Sequence, residues 1–167
     1  MSHAEHLDKS ASVTAKCAVI TCSDTRDEST DSSGSFIRQM LADAGHDVAL
    51  YRLIPDDPAE ISALLSQAID ENVDVVITNG GTGISKRDNT YETLSSMIER
   101  PLNGFGELFR MLSYEDIGSA SMLSRAAAGL IGDVLVFSLP GSTGAVRLAM
   151  ERLIMPQLRH LVSEVRR

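Results

Sequence analysis

Three short and almost wholly apolar segments, residues 16–23, 74–78 and 134–139, limit the folds that this chain can adopt. Each has the length of a strand and is apolar on both faces, which is typical of strands buried between two layers of helices in a parallel sheet. Amphipathic helical patterns separate these segments along the chain. Strands that alternate with helices predict an α/β fold, a three-layer α/β/α sandwich with a mainly parallel sheet.

Two of the predicted helices have well-defined ends. The first carries apolar residues at helical spacing over 36–44, and Gly45 supplies its C-terminal stop. The second begins with Asp57 as N-cap, has Pro58 at its first position and carries one apolar stripe over 61–69. The other predicted elements are an outer strand over 48–54, a helix over 90–99 that Asn89 caps and Pro101 ends, helices over 105–117 and 122–130, and a last helix that Pro156 interrupts.

The length and charge of the chain narrow the functions that it can have. Its 167 residues correspond to one domain, which we assign to residues 14–167, after a flexible N-terminal tail over residues 1–13. With 15 Lys and Arg against 23 Asp and Glu, the net charge is −8. This excess of negative charge opposes contact with the phosphates of nucleic acid, and we expect no nucleic-acid partner.

The sequence shows no sign of export or of membrane insertion. Residues 1–16 lack the apolar core of a signal peptide, and no apolar run reaches the roughly 18 residues of a membrane span. The two cysteines, Cys17 and Cys22, lie five residues apart on a predicted strand, which places them on opposite faces. They neither pair nor show the spacing of metal ligands, so we expect a reducing compartment, the cytoplasm.

Polar loops follow the predicted strands directly. In sheets of this class, ligands bind outside the carboxyl ends of the strands. Four loops occupy those ends, over residues 23–26, 55–57, 79–89 and 140–144. We therefore expect the four loops to share one edge of the sheet. Residues 23–26 and Ser142 offer hydrogen-bond donors there, with loop solvation and turn formation as the alternative roles.

The most informative loop is Gly80-Gly-Thr-Gly83, a glycine cluster that follows a strand. Glycines let backbone amides approach an anion without a Cβ in the way, which suits a phosphate. The loop is not a Walker A motif, since Ser85 precedes Lys86, and not a dinucleotide fingerprint, since Lys86 stands where a third glycine is required. A turn of purely structural use is the alternative.

Charged side chains lie in or near this loop. Lys86 and Arg87 supply cations and Asp88 supplies a carboxylate, the combination that polyphosphate chemistry with Mg²⁺ needs. A solvated loop and helix capping are the alternatives. Asp56 closes the second strand and, because Asp57 already serves as N-cap, is available as a metal ligand or as an acid or base.

The segment over residues 104–114 concentrates apolar and aromatic side chains in one short helix. Such spacing indicates a core-facing helix first and a subunit interface second.

Six ordered motifs run along the chain: Thr21-Cys-Ser-Asp-Thr-Arg26 with Thr30-Asp-Ser-Ser-Gly34, Ile54-Pro-Asp56, Gly80-Gly-Thr-Gly83 with Arg87-Asp88, Gly104-Phe-Gly-Glu-Leu-Phe-Arg-Met-Leu-Ser-Tyr114, Ser124-Arg125 with Ala128-Gly-Leu130, and Leu139-Pro-Gly-Ser142. Over about residues 14–160 they resemble the motifs of the molybdenum cofactor biosynthesis B (MoaB-type) proteins, close relatives of the MogA-type molybdopterin adenylyltransferases. Asn79, Tyr91 and Thr143 depart from the family's pattern.

This resemblance implies a three-layer α/β/α fold, a homotrimer or homohexamer, and a role in molybdenum cofactor biosynthesis. Adenylyl-transferring relatives use ATP and Mg²⁺ to attach AMP to the terminal phosphate of molybdopterin, with release of pyrophosphate. The alternative is a non-catalytic protein that binds molybdopterin or acts as a scaffold in the same pathway.

The resemblance also implies roles for individual residues. Asp56 and Asp88 match the catalytic carboxylates and would hold the Mg²⁺ ion. Residues assigned to the nucleotide are Gly80, Gly81, Thr82, Gly83, Ser23 and Asp24. Residues assigned to the pterin and its phosphate are Ser124, Arg125, Ser142 and Arg87.

Overall fold

The computed structural model describes residues 12–167, and most of the predicted tail, residues 1–11, lies outside the described residues. A six-stranded sheet has the order β2-β1-β3-β6-β5-β4. The strands are β1 (Lys16–Cys22), β2 (Asp47–Ile54), β3 (Val75–Asn79), β4 (Arg100–Pro101), β5 (Ala127–Ile131) and β6 (Val134–Leu139). The first three and β6 are parallel, while β5 runs antiparallel to both of its neighbours. The predicted α/β fold with a mainly parallel sheet is confirmed.

Helices cover both faces of this sheet. They are α1 (Ser32–Asp43), α2 (Pro58–Asp70), α3 (Thr90–Met97), α4 (Asn103–Ile117), α5 (Thr143–Ala149) and α6 (Met155–Val165). One apolar core lies between the sheet and α1, α4, α5 and α6, and the other lies between the sheet and α2 and α3. Cys17 belongs to the first core and Cys22 to the second, and both are free thiols, as the strand periodicity predicts.

Most helix ends are determined by residues that are close to them in the sequence. The Asp57 carboxylate accepts hydrogen bonds from the amides of Ala59 (2.9 Å) and Glu60 (3.0 Å), which confirms it as the N-cap of α2. Asn89 occupies the N-cap position of α3, as predicted, but its side-chain amide makes no capping bond. It donates instead to the carbonyl oxygens of Asp56 and Arg87.

The helix predicted over residues 122–130 is wrong. A 3₁₀ helix (Gly118–Leu123) covers only its first two residues, and β5 occupies Ala127–Ile131. Gly132, with a φ of +56°, and Asp133 close a two-residue hairpin between β5 and β6, a turn that favours glycine. Pairing with β6 therefore overrides the helical propensity of the alanine-rich segment. Helix α3 also ends earlier than predicted, because Arg100–Pro101 pairs with β5.

The last helix is interrupted, as predicted from Pro156. A π-helical turn (Met150–Ile154) separates α5 from α6, and the proline lies in the first turn of α6, where its missing amide hydrogen costs least. Within residues 12–167, no helix has the length and apolar content that a crossing of the bilayer requires.

A buried carboxylate joins the ends of the central strands. Asp31, the N-cap of α1, is 1% exposed. Its Oδ1 accepts from the amide of Gly34 (2.9 Å), and its Oδ2 accepts from the hydroxyls of Thr21 (2.6 Å) and Tyr51 (2.7 Å). The Thr21 hydroxyl in turn accepts from the side chain of Asn79 (2.9 Å). Residues of β1, β2, β3 and α1 thus meet in one network.

Removal of this carboxylate should destabilise the whole fold. Asp31→Ala leaves two buried donors and one partly buried donor without an acceptor, so we expect the free energy of unfolding to fall by about 3 kcal/mol. Urea denaturation measures the change. Asp70→Ala, at an exposed position near the end of α2, is the control and should stay within about 0.5 kcal/mol of wild type. Equal stabilities of the two variants would contradict the role given to Asp31.

Candidate functional site

The loops after β1, β2, β3 and β6 surround one cavity of about 470 Å³ at the carboxyl edge of the sheet. Its walls come from residues 22–26, Asp56, the glycine loop (residues 80–88) and residues 140–142. The structure therefore brings together the loops that the sequence predicts to lie at one edge of the sheet. The predicted site residues that line this cavity are Ser23, Asp24, Asp56, Gly80, Gly81, Thr82, Gly83, Arg87, Asp88 and Ser142.

Glycine is required where the strand ends converge. Gly80 has a φ of +95°, and a Cβ at this position would overlap the carbonyl oxygen of Cys22 at the end of β1. Its amide donates to the carbonyl oxygen of Leu139 at the end of β6 (3.0 Å). The glycine loop thus leaves the sheet between two neighbouring strands, with its backbone against both.

The Asp56 carboxylate lies against this loop, close to Gly81. Its Oδ1 accepts from the Thr90 hydroxyl (2.9 Å), and its Oδ2 accepts from the amide of Asn89 (3.1 Å). A Cβ at Gly81 would overlap the Asp56 carboxylate, so a larger residue would displace it. Burial raises the pKa of Asp56 above its usual value, the nearby carboxylates of Asp88 and Asp24 raise it further, and the two hydrogen bonds oppose the rise.

The carboxylate of Asp88, the last residue of the glycine loop, lies against Gly83 near the start of the same loop. Its Oδ2 accepts from the amide of Ser85 (2.9 Å) and lies 2.5 Å from where a Cβ of Gly83 would be. Asp88 therefore closes the turn of the loop. Both carboxylates lie beside the glycine backbone and line the same cavity.

The donor set at this site suits a hard divalent cation that is shared with a ligand. Within residues 12–167, no group of three or more His, Cys, Asp or Glu side chains could hold a metal ion by itself. Mg²⁺ does not need such a group, because it is usually held by one or two carboxylates together with substrate phosphates and water. Asp56 and Asp88 can supply the two carboxylates.

Three predicted binding residues also hold the loops in place. The Ser23 hydroxyl accepts from the amides of Thr25 (3.3 Å) and Arg26 (3.2 Å). The Asp24 carboxylate accepts from the amide of Asp56 (3.1 Å), which joins the loop after β1 to the loop after β2. The Ser142 hydroxyl caps α5 by accepting from the amide of Ala145 (3.3 Å).

Two predicted pterin-site residues lie outside the cavity wall. Ser124 lines a neighbouring cavity of about 290 Å³, which Ser142 also lines. Arg125 lines neither cavity. Its Nε donates to the carbonyl oxygen of Thr82 (2.8 Å) and its Nη2 donates to that of Gly83.

The guanidinium of Arg125 has two further partners on α3. Its Nη1 is hydrogen-bonded to the carboxylate of Glu92, and this bond lowers the pKa of Glu92 below its usual value. The guanidinium carbon lies 4.7 Å from the ring centroid of Tyr91. Arg125 therefore fixes the glycine loop from behind, a role that the sequence alone does not reveal because the contacts span more than 30 residues.

The chain matches a family of known domains over most of its length. Residues 18–160 match the family described as "Probable molybdopterin binding domain". The chain is 53% identical to molybdenum cofactor biosynthesis protein B of Bacillus cereus over 169 aligned residues, which cover 100% of this chain and 99% of that protein.

Solved structures agree with this match. A crystal structure of a molybdenum cofactor biosynthesis protein B has a TM-score of 0.88 and 52% identity, and covers 92% of this chain and 97% of its own. The tungsten cofactor synthesizing protein MoaB of Pyrococcus furiosus has a TM-score of 0.84 and 40% identity over 92% of this chain and 98% of its own. The chain belongs to the molybdenum cofactor biosynthesis protein B family, and its role lies in the biosynthesis of that cofactor.

Replacement of the planar guanidinium group of Arg125 should make the glycine loop more mobile. Arg125→Lys cannot hold both carbonyl oxygens and Glu92 at once, so trypsin should cleave after the exposed Lys86 and Arg87 roughly tenfold faster. Mass spectrometry of the fragments measures the rate. Arg100→Lys, which changes an arginine that donates to the carbonyl oxygen of Gly132, is the control. Cleavage at the wild-type rate would show that Arg125 does not hold the loop.

Proposed function

We propose that this chain transfers the adenylyl group of ATP to the terminal phosphate of molybdopterin and releases pyrophosphate. One observation carries the proposal: two carboxylates, Asp56 and Asp88, lie beside the same glycine loop and line the same cavity. A glycine backbone for phosphates beside acidic side chains for Mg²⁺ is the chemistry that nucleotidyl transfer requires.

The glycine loop has backbone donors available for phosphate. Among the described residues, no hydrogen-bond acceptor is found for the amides of Gly81, Thr82 and Gly83. Their N–H groups can therefore donate to phosphate oxygens, and Arg87 on the cavity wall adds positive charge. The assignment of Ser23 and Asp24 to the nucleotide is part of this proposal.

The two carboxylates would hold Mg²⁺ together with phosphate oxygens. When bound, the ion neutralises the charge that develops at the α-phosphorus. A phosphate oxygen of molybdopterin attacks that phosphorus, a new P–O bond forms, and the bond to the bridging oxygen of pyrophosphate breaks. The chain's part is to align the two phosphates, with the pterin on the side of Ser142 and Ser124.

We also propose that the protein is a homo-oligomer, a trimer or a hexamer. Helix α4 buries Phe109 and Leu112 in the core, yet Leu108, Met111, Tyr114 and Ile117 are 47–63% exposed on its outer side. A row of apolar side chains at this spacing is typical of a subunit interface. Light scattering in solution tests the proposal, and a monomer mass would contradict it.

Asp88→Asn should slow adenylylation with little effect on the fold. Loss of a carboxylate that orients the ion costs about 10²-fold in rate, or about 2.7 kcal/mol. The measurement is formation of adenylylated molybdopterin, with Asp70→Asn as a surface control. Equal rates for Asp88→Asn and wild type would remove Asp88 from the mechanism. Binding of molybdopterin by the wild type without turnover would favour the non-catalytic alternative.

The raised pKa of Asp56 predicts a pH dependence of Mg-ATP binding. As the pH falls, Asp56 takes up its proton at a higher pH than an ordinary aspartate, and the protonated group no longer attracts the ion. As the pH is lowered, binding of Mg-ATP should therefore weaken at a higher pH than the one at which ordinary carboxylates become protonated. Calorimetric titration over a range of pH measures this, and Asp56→Asn serves as the control for protonation of ATP itself. The same pH profile in both proteins would contradict the prediction.

A further inference from the structure

The backbone oxygen of Gly141, on the cavity wall after β6, is held from two directions. Nη2 of Arg26 donates to it at 2.9 Å, from the loop after β1. The hydroxyl of Ser33 donates to it at 3.0 Å, from the first turn of α1. The two donors are separated from Gly141 by 115 and 108 residues in the chain, so the folded structure alone brings them together.

Both donors are themselves positioned by Asp31. The carboxylate caps the turn of α1 that contains Ser33, through the amide of Gly34. Nη1 of Arg26 lies 3.9 Å from Oδ1 of Asp31. Because Asp31 is buried and is also bonded to Thr21 and Tyr51, it offers a rigid anchor for the two donors.

Gly141 in turn lies close to the glycine loop. A Cβ at Gly141 would be 3.1 Å from the Cα of Gly80, so the two backbones are nearly in contact. A shift of Gly141 would therefore change how residues 140–142 pack against the glycine loop, which forms the adjacent part of the cavity wall.

We propose that Ser33 and Arg26 are positioning residues of this cavity, which act by holding the Gly141 carbonyl so that the wall formed by residues 140–142 fits a phosphate-bearing ligand. The nature of that ligand rests on the proposed function, whereas the positioning does not. Ser33 is fully buried and absent from the cavity wall, so it can influence the ligand only through Gly141.

The decisive variant is Ser33→Ala, with Ser35→Ala as the matched control on the exposed side of the same helical turn. We expect hydrogen exchange at the amides of residues 145 and 146, which both donate to Ser142 on this wall, to rise roughly tenfold in Ser33→Ala, with the rest of the chain unchanged. Mg-ATP, the probe in a calorimetric titration, should bind about five- to tenfold more weakly to Ser33→Ala. Ser35→Ala should match wild type in both measurements.

A second variant tests the shared acceptor. Arg26→Lys keeps a positive charge at the wall but cannot contact Asp31 and Gly141 together. Because the donor that remains in each single variant still restrains the carbonyl in part, the loss of affinity in the double variant Ser33→Ala/Arg26→Lys should exceed the product of the two single losses. In the adenylylation assay, Ser33→Ala should raise KM for ATP and leave kcat within about twofold of wild type.

The inference is overturned if Ser33→Ala exchanges and binds Mg-ATP like Ser35→Ala. It is also overturned if exchange rises throughout the chain, since that would show a general loss of stability. A wild-type protein that binds Mg-ATP without adenylylating molybdopterin would end the proposed function alone. In that case, local exchange and weaker binding in Ser33→Ala would still support the positioning role.

Discussion

The hydrogen bonds to the Asp31 carboxylate are the interaction on which the shape of the site depends. A buried carboxylate is costly unless it is fully bonded, and here hydroxyl and amide donors from β1, β2 and α1 surround it. The network extends through Thr21 to Asn79, the residue directly before the glycine loop. The carboxyl ends of the parallel strands are thus fixed by two kinds of contact. Apolar packing in the two cores has no preferred direction, whereas the hydrogen bonds of this network are directional.

Next to this network, the site consists mainly of loop backbone and carboxylate side chains. Gly80 turns the chain away from β3, and Arg125 holds the next carbonyl oxygens from behind. The amides of the loop are then left available on the cavity side, with Asp56 and Asp88 beside them. A phosphate needs the amides and a magnesium ion needs the carboxylates, so the arrangement suits a ligand that brings both.

Much of the fold can be predicted from the sequence because its central strands are apolar on both faces. That pattern fixes a parallel sheet, and a parallel sheet brings the loops over 23–26, 79–89 and 140–144 to one edge. Asp57 could be recognised as a cap because its partners are its neighbours in sequence. These predictions rest on local patterns or on topology, and the structure agrees with them.

The errors concern contacts between residues far apart in the chain. Ala127–Ile131 reads as helical, yet it pairs with β6, and Gly129 fits closely against Ile98 and the backbone of Arg100. The resemblance assigns Arg125 to the pterin and its phosphate, and no local pattern indicates the hydrogen bonds that Arg125 makes to the glycine loop and Glu92. In the sequence, Asp31 stands out only as part of a motif. No local signal marks a carboxylate that will be buried.

The central claim is that one cavity holds nucleotide phosphates at the glycine loop and a divalent ion between Asp56 and Asp88. Crystals grown with ATP and Mn²⁺ in place of Mg²⁺ test it most directly, because anomalous scattering locates the ion independently of the nucleotide. The account predicts an Mn²⁺ peak ligated by both carboxylates, with the triphosphate along residues 80–83. An ion and nucleotide bound elsewhere, with this cavity holding only solvent, would contradict it.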